Sequence, residues 1–383
     1  MDTVKNSQNS SGNFLKNAGR FIDELAQRPD ERHAIIRNAS VRRRVVNVNS
    51  QFAFNSSFTI VLPKVNYLGN AYLVLSLASS GNSKKYMPQC ATQMIKSMKL
   101  TNGGRVAQEI SAYHDVFSFV LDRLDDENLR QFKRVLGKNQ ASAQLVCIPL
   151  FFFWSKFLQR NFEDGGKPLH YSKLSANDSI QIEITTHPES RFCDGAMSNT
   201  GSLVVSANVV FEEYLTEASL ESQHSKEQYV FCGIDFKSRE NISCTANQDT
   251  EVDITQLQGQ VKYYKVLARP DSNIASVDYL TQTNCSKMAL NIDGRSAQNI
   301  ENSEEEIILE SLLKGQKQNS DGGGTNYLYL SLDNKHQFRG HLNTRSINDC
   351  RLTVQTGVNS KVSVLAVSDV CWKIQNGQLV KYE

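Results

Sequence analysis

Short apolar segments separated by polar turns fill the chain from residue 42 onward. In residues 57–63 and 179–185, β-branched and aromatic residues are frequent and apolar positions partly alternate, which predicts half-buried β-strands. Helical spacing of apolar residues interrupts this pattern over residues 113–124 and 129–136. Many short strands with so few helices predict an all-β protein built from sandwiches, and they argue against alternating βα units.

An internal repeat is the most informative feature of the sequence. Residues 98–110 and 288–300 are identical at seven of thirteen positions without a gap. A second, weaker similarity relates residues 174–184 to residues 342–354, in the same order along the chain. Two similarities in register predict a duplicated β domain. Each copy of the first motif precedes a predicted helix, and the second of these helices would cover residues 304–314.

These patterns predict four parts along the chain. The parts are an amino-terminal arm (residues 1–41), a first sandwich (residues 42–215), a polar linker (residues 216–228) and a second sandwich (residues 229–383).

The arm carries a predicted amphipathic helix that starts after Ser11 and ends before Pro29. Its apolar stripe follows helical spacing and includes Phe14, Leu15, Phe21, Ile22 and Leu25. Such a helix packs on its own domain, docks on a neighbouring subunit or rests on a membrane surface, and the sequence leaves these alternatives open.

Three adjacent arginines, Arg42, Arg43 and Arg44, follow the arm and enter the first predicted strand. They would contact phosphate groups, or they would place charge on an edge strand and so discourage aggregation. Both interpretations remain open from the sequence.

Composition restricts the function classes. With 383 residues the chain is long enough for two domains. Its 42 Lys and Arg nearly balance 40 Asp and Glu, for a net charge of +2, so we expect no sequence-specific nucleic-acid binding. The polar start has no apolar stretch of a secretory signal, and the longest apolar run, residues 145–154, is too short to span a membrane. We therefore expect a protein made in a cytoplasm, with its eight cysteines reduced and mostly buried.

Residues for catalysis or metal binding are not arranged in any recognisable pattern. The seven histidines form no H-x-H pair, the cysteines form no C-x-x-C pair, and no G-x-S-x-G motif occurs. The repeated Gly104-Arg105 and Gly294-Arg295 would be anion ligands or structural braces. We therefore expect no enzyme, no cofactor and no bound metal.

One stretch resembles a known family. Residues 146–154 (VCIPLFFFW), the turn at Lys167-Pro168-Leu169-His170, and the strand at residues 179–184 are similar to double jelly-roll major capsid proteins of membrane-containing phages, archaeal viruses and large DNA viruses. The resemblance implies two tandem jelly-roll β-sandwiches with helical loop inserts, and the compact length favours a bacteriophage-like member.

The same resemblance implies a structural function. The chain would form homotrimeric capsomers with a six-sided outline that tile an icosahedral virion, with the arm on the inner side, against an internal membrane or neighbouring capsomers. Minor capsid and vertex proteins would be further partners. The assembly surfaces would be the lateral faces of the sandwiches, the arm and the strand near Trp372. The alternatives are a two-sandwich hydrolase of glycans or glycoproteins and a carbohydrate-binding protein.

Overall fold

A computed structural model gives the architecture of the chain from the first strand onward. It describes residues 40–80, 85–124, 126–138, 140–158, 168–175, 179–194, 203–215, 230–273, 282–301, 326–329 and 342–382. The predicted helices of the arm and of residues 304–314, and the predicted linker, lie outside the described residues. The boundaries predicted for the four parts therefore stay predictions.

The first half of the chain forms two antiparallel sheets. Its strands are β1 (Ser40–Asn47), β2 (Ser57–Val61), β3 (Tyr67–Leu77), β4 (Lys85–Tyr86), β5 (Ile95–Asn102), β6 (Arg105–Ile110), β7 (Gln144–Leu150), β8 (Leu169–His170), β9 (Ile180–Thr186), β10 (Cys193–Asp194) and β11 (Val204–Leu215). One sheet has the order β1-β11-β3-β7, with β8 also paired to β3, and the other has the order β2-β9-β5-β6. Strands β4 and β10 form a separate pair.

The second half repeats the two larger sheets of the first half. Its strands are β12 (Val230–Cys244), β13 (Thr250–Asp253), β14 (Gln260–Pro270), β15 (Cys285–Ile292), β16 (Arg295–Glu301), β17 (Asn326–Tyr329), β18 (Leu342–Asn343), β19 (Cys350–Thr356), β20 (Ser360–Gln375) and β21 (Gln378–Tyr382). The sheets have the orders β12-β20-β14-β17 and β13-β19-β15-β16, with β18 paired to β14 and β21 to β20. Each half is thus an eight-stranded jelly roll with short added strands, and the predicted fold class is confirmed.

The repeated sequence motif forms the same hairpin in both halves. Strands β5 and β6 are joined by Gly103 and Gly104 at φ 55° and 77°, and β15 and β16 by Asp293 and Gly294 at φ 47° and 73°. Two central residues with positive φ define a type I′ turn, which only Gly, Asn and Asp adopt readily. The turn explains why glycine recurs in the motif, while Arg105 after it is exposed.

Two helices connect β6 to β7 in the first sandwich. Helix α1 (Tyr113–Arg123) is followed by α2 (Asp126–Val135), as the apolar spacing predicts. Every residue of α1 from Tyr113 to Asp122 is buried, because the helix lies between the two halves of the chain. The hydroxyl of Tyr113 donates to the carbonyl of Pro149 at 2.6 Å and so ties α1 to the end of β7.

Two hydrophobic cores follow from the sheet arrangement. The core of the second sandwich consists of side chains that point inward from both sheets, among them Val266, Leu290 and Leu352. The larger core fills the first sandwich and continues onto the outer face of the second, where it includes Leu267 and Val367. The two sandwiches therefore share apolar surface. None of the described helices is long and apolar enough to cross a membrane.

Candidate functional site

Strand β14 buries both of its faces, and this property defines the contact between the sandwiches. Tyr264, Val266 and Ala268 point into the core of the second sandwich. Because side chains alternate along a strand, Lys265 and Arg269 lie on the opposite face. Both are at most 2% exposed, so the first sandwich covers the outer face of this sheet.

Two buried ion pairs join α1 to this outer face. The Nζ of Lys265 donates to Oδ2 of Asp122 at 2.5 Å and to the hydroxyl of Ser118 at 2.8 Å. The Nη2 of Arg269 donates to Oδ1 of Asp115 at 2.5 Å. Asp115 and Asp122 lie seven residues apart, two turns along one side of the helix, and they match the spacing of the two cations on β14.

Burial sets the electrostatics of these pairs. Burial alone raises the pKa of Asp115, but His114 and Arg269 beside it lower the pKa more, so that it lies well below the usual range. Burial lowers the pKa of Lys265, and the neighbouring Asp122 offsets only part of this change. Buried pairs of this kind tolerate the loss of both partners better than the loss of one.

Further titratable groups lie beside the Asp115 pair. The ring of His187 is 5.8 Å from that of His114. Burial, followed by the nearby charge of His114, lowers the pKa of His187 to about 3. Burial raises the pKa of Glu240, which comes from the second sandwich. His187 is therefore uncharged at neutral pH, as expected for a junction closed to water.

An aromatic contact adds to the ion pairs. Trp372 of β20 stacks on Phe153 with ring centroids 4.2 Å apart and an interplanar angle of 10°. Its indole Nε1 donates to the carbonyl of Ala107 at 3.0 Å. Trp372 is fully buried within the chain, so this side chain is not available to neighbouring copies, and a role of the strand near it in assembly stays a prediction.

The last hairpin of the chain reaches back to the first sandwich. Strands β20 and β21 are joined by Asn376 and Gly377 at positive φ. The carbonyl of Gly377 accepts from the amide of Ser175 at 2.7 Å, and the amide of Leu379 donates to Oδ1 of Asn102 at 3.2 Å. One backbone–backbone and one backbone–side-chain hydrogen bond thus fix the register between the two sandwiches.

The corresponding outer face of the first sandwich is open by comparison. Across β1, β11, β3 and β7, the register places Val45 beside Val210, and Val210 beside Tyr72. Tyr72 and Val210 are only partly buried, while Val45 and Leu145 are 63% and 62% exposed. We call this surface the open face. It is an outer sheet face with exposed apolar side chains, its counterpart on the second sandwich is covered by the first sandwich, and exposed apolar patches mark interaction sites.

The comparisons with known proteins agree with this architecture. No family model and no curated protein sequence matches the chain. Among solved structures, VP54 of the virus PBCV-1, fitted into a reconstruction of the virophage Sputnik, is similar over 90% of this chain and 97% of its own, with 11% identity and a TM-score of 0.67. The chain folds as a double jelly roll.

Two further double jelly rolls are similar along most of their length. The Faustovirus major capsid protein covers 87% of this chain and 90% of its own at 9% identity, with a TM-score of 0.65. The mavirus major capsid protein covers 89% of this chain and 90% of its own at 9% identity, with a TM-score of 0.58. Identities this low establish a shared fold and not a shared function.

The three arginines predicted at an assembly surface lie on β1, at the edge of its sheet in this double jelly roll. Arg42 and Arg43 are exposed. The Nε of Arg44 donates to Oε2 of Glu213 on β11 at 2.6 Å, and this hydrogen bond raises the pKa of Arg44. Arg44 therefore links neighbouring strands, and a contact of the other two with phosphate or with another copy stays a prediction.

Sequence reasoning missed the four charged residues of the junction. Part of the sequence did indicate burial. Lys265 and Arg269 lie four positions apart in a stretch that is otherwise apolar or aromatic over residues 263–268, whereas a solvent-exposed sheet face would carry polar residues at alternate positions. Asp115 and Asp122 were recognised only as parts of a helix. In the described part of the chain, no group of three His, Cys, Asp or Glu residues is placed to hold a metal ion.

Proposed function

We propose that the chain is a major capsid protein whose function is self-assembly. Three copies would form a capsomer with a six-sided outline, since each contributes two similar sandwiches, and capsomers would tile an icosahedral virion shell. The similar structures are viral capsid proteins by their own descriptions, which supports this proposal for a chain with the same fold.

The difference between the two outer sheet faces carries the proposal. One face is covered within the chain by the neighbouring sandwich, and its counterpart, the open face, displays Val45 and Leu145. If the second sandwich of another copy covers the open face in the same manner, each copy supplies one open face and one cover. Such head-to-tail contacts generate a ring where the rotation between copies closes, and closed symmetry is the usual form of soluble homo-oligomers.

Other parts of the chain would act outside this ring. The arm, with Phe14, Leu15, Phe21, Ile22 and Leu25, would lie on the inner side of the shell against a membrane or a neighbouring capsomer. Arg42 and Arg43 would extend that inner surface. Minor capsid and vertex proteins would bind the finished capsomers, and the protein would be made in the host cytoplasm and act in the virion.

An enzymatic function has less support. A two-sandwich hydrolase of glycans needs a pair of carboxylates that face a cleft. Among the buried carboxylates of the described residues, Asp115 and Asp122 are held in ion pairs between the sandwiches, and Glu213 and Asp235 pair with Arg44 and Lys381. No observation favours the hydrolase or a carbohydrate-binding module over a capsid protein.

Light scattering after size exclusion tests the proposal. We expect a particle of three times 43.0 kDa that persists on dilution. Val45→Asp with Leu145→Asp places two charges on the open face and should leave monomers. The matched control, Val61→Asp with Val106→Asp, alters two residues of similar exposure on the other sheet and should leave the trimer intact. A wild-type monomer, or equal effects of both variants, would contradict the proposal.

A further inference from the structure

The covered and open faces correspond residue by residue. Strand β8 pairs with Leu68 of β3, and β18 pairs with Val261 of β14. Four residues beyond these points, Tyr72 on the open face corresponds to Lys265 on the covered face. Eight residues beyond them, Ser76 and Arg269 correspond in the same way. The positions that carry the two buried cations in the second sandwich are therefore uncharged in the first.

The first sandwich carries two surfaces that fit each other between different copies of the chain. It carries α1, whose docking side fits the outer face of a sheet of this type, and it carries an open face of the same type. Before α1 meets its own second sandwich, it can meet the open face of another copy. That contact is head-to-tail, and a head-to-tail contact extends into open polymers unless its rotation closes a ring.

We infer that Asp115 and Asp122, together with Lys265 and Arg269, determine which sheet face α1 accepts. On its own second sandwich, α1 finds a cation for each acid. On the open face of another copy, the same acids would be buried against Tyr72 and Ser76. The inference rests on the proposed function and deepens it, because it names the residues that keep the contact within a chain distinct from the contact between copies.

The physical reason is the asymmetry of buried charge. Burying a carboxylate without its cation is strongly unfavourable, and the effect for one partner lowers an association constant by on the order of a hundredfold or more. An apolar contact on the open face carries no such penalty. The acids of α1 therefore exclude one pairing of sandwiches without weakening a contact that uses other residues, which is how specificity between similar surfaces arises.

The first test transfers the cations to the open face. Tyr72→Lys with Ser76→Arg gives the first sandwich the charges that α1 accepts. After refolding from urea over a wide range of protein concentration, we expect large open oligomers whose share rises with concentration. The control variant, Val61→Lys with Val106→Arg, adds the same charge on the other sheet and should refold as the wild type does. Identical refolding of the two variants would overturn the inference.

The second test replaces both members of each ion pair, so that α1 no longer distinguishes the two sheet faces by charge. Asp115→Asn, Asp122→Leu, Lys265→Met and Arg269→Met are combined in one chain, and urea unfolding verifies that it is folded. We expect mixed oligomers on refolding where the wild type gives one species. A single wild-type-like species at every concentration would contradict the inference. If the wild type itself is a monomer, the proposed capsomer fails, while polymer formation by the variants alone still supports the inference.

Discussion

Removal of the Trp372 side chain tests how firmly the two sandwiches are joined. The residue is fully buried, it stacks on Phe153 at 4.2 Å, and its Nε1 donates to the carbonyl of Ala107. We therefore expect Trp372→Ala to destabilise the chain by far more than a surface substitution does, because the contact joins the two halves of the protein.

The magnitude follows from these contacts. Replacing a buried Trp by Ala costs about 3–5 kcal/mol. Within that sum the stacked ring contributes about 0.5–1.5 kcal/mol beyond its buried area, and the loss of the donor to Ala107 costs about 1–3 kcal/mol. Trp372→Phe keeps a stacked ring and loses the hydrogen-bond donor. Its loss of free energy of unfolding should therefore fall near the lower end of the range of about 3–5 kcal/mol given for Trp372→Ala.

The assay exploits the two tryptophans of the chain. In Trp372→Ala the remaining tryptophan is Trp154. Its Nε1 donates to the carbonyl of Gly69 inside the first sandwich. Urea unfolding at a fixed protein concentration is followed by fluorescence and by far-ultraviolet circular dichroism. We expect one transition for both signals in the wild type. In the variant, the fluorescence of the first sandwich and the circular dichroism of the whole chain should separate.

Two results would refute this reasoning. The first is a free energy of unfolding for Trp372→Ala within about 0.5 kcal/mol of the wild type, since that is the size of an ordinary surface effect. The second is a destabilisation by Trp372→Phe as large as that by Trp372→Ala, which would mean that the hydrogen bond and not the packed ring holds the junction.

Two further predictions concern close packing and pH. A Cβ at Gly69 would lie 2.3 Å from the ring of Tyr214, so Gly69→Ala should lower the free energy of unfolding by about 1–3 kcal/mol. Gly357→Ala, where a Cβ meets nothing within 4 Å, should change it by less than about 0.5 kcal/mol, and equal thermal shifts would contradict the packing argument. Asp115→Asn removes the carboxylate that forms an ion pair with the buried Arg269 and should cost about 3–5 kcal/mol at neutral pH. Because the folded pKa of Asp115 lies below its ordinary 3.8, this difference should be constant above about pH 5 and shrink as the pH falls below that ordinary value; urea midpoints that run parallel at every pH would be inconsistent with it.

The duplicated jelly rolls were predictable because local rules determine them. The recurrence of Gly104 and Gly294 reports a type I′ turn, which depends only on the residues of that turn. The alternating strands and the two helices follow from periodicity in the same way. Such signals lie within a few residues of one another, so a single sequence displays them without reference to the rest of the fold.

The junction was not predictable, because it depends on which faces meet. Lys265 and Asp122 are far apart in the sequence, and nothing in the local pattern of either pairs them. The strand near Trp372 was predicted as an assembly surface because an apolar strand fits equally well on such a surface or against a neighbouring domain, and the burial of Trp372 itself could not be read from the local pattern. Only the packing of the two sandwiches distinguishes these cases.

The position of β20 has a consequence for protein synthesis. This strand lies in the middle of its sheet, between β12 and β14, yet it begins only at Ser360. Translation must therefore pass residue 375 before the second jelly roll gains its central strand. A chain that stops before Ser360 would lack the strand that pairs along β14, so Lys265 and Arg269 would lose the sheet that holds them opposite the acids of α1.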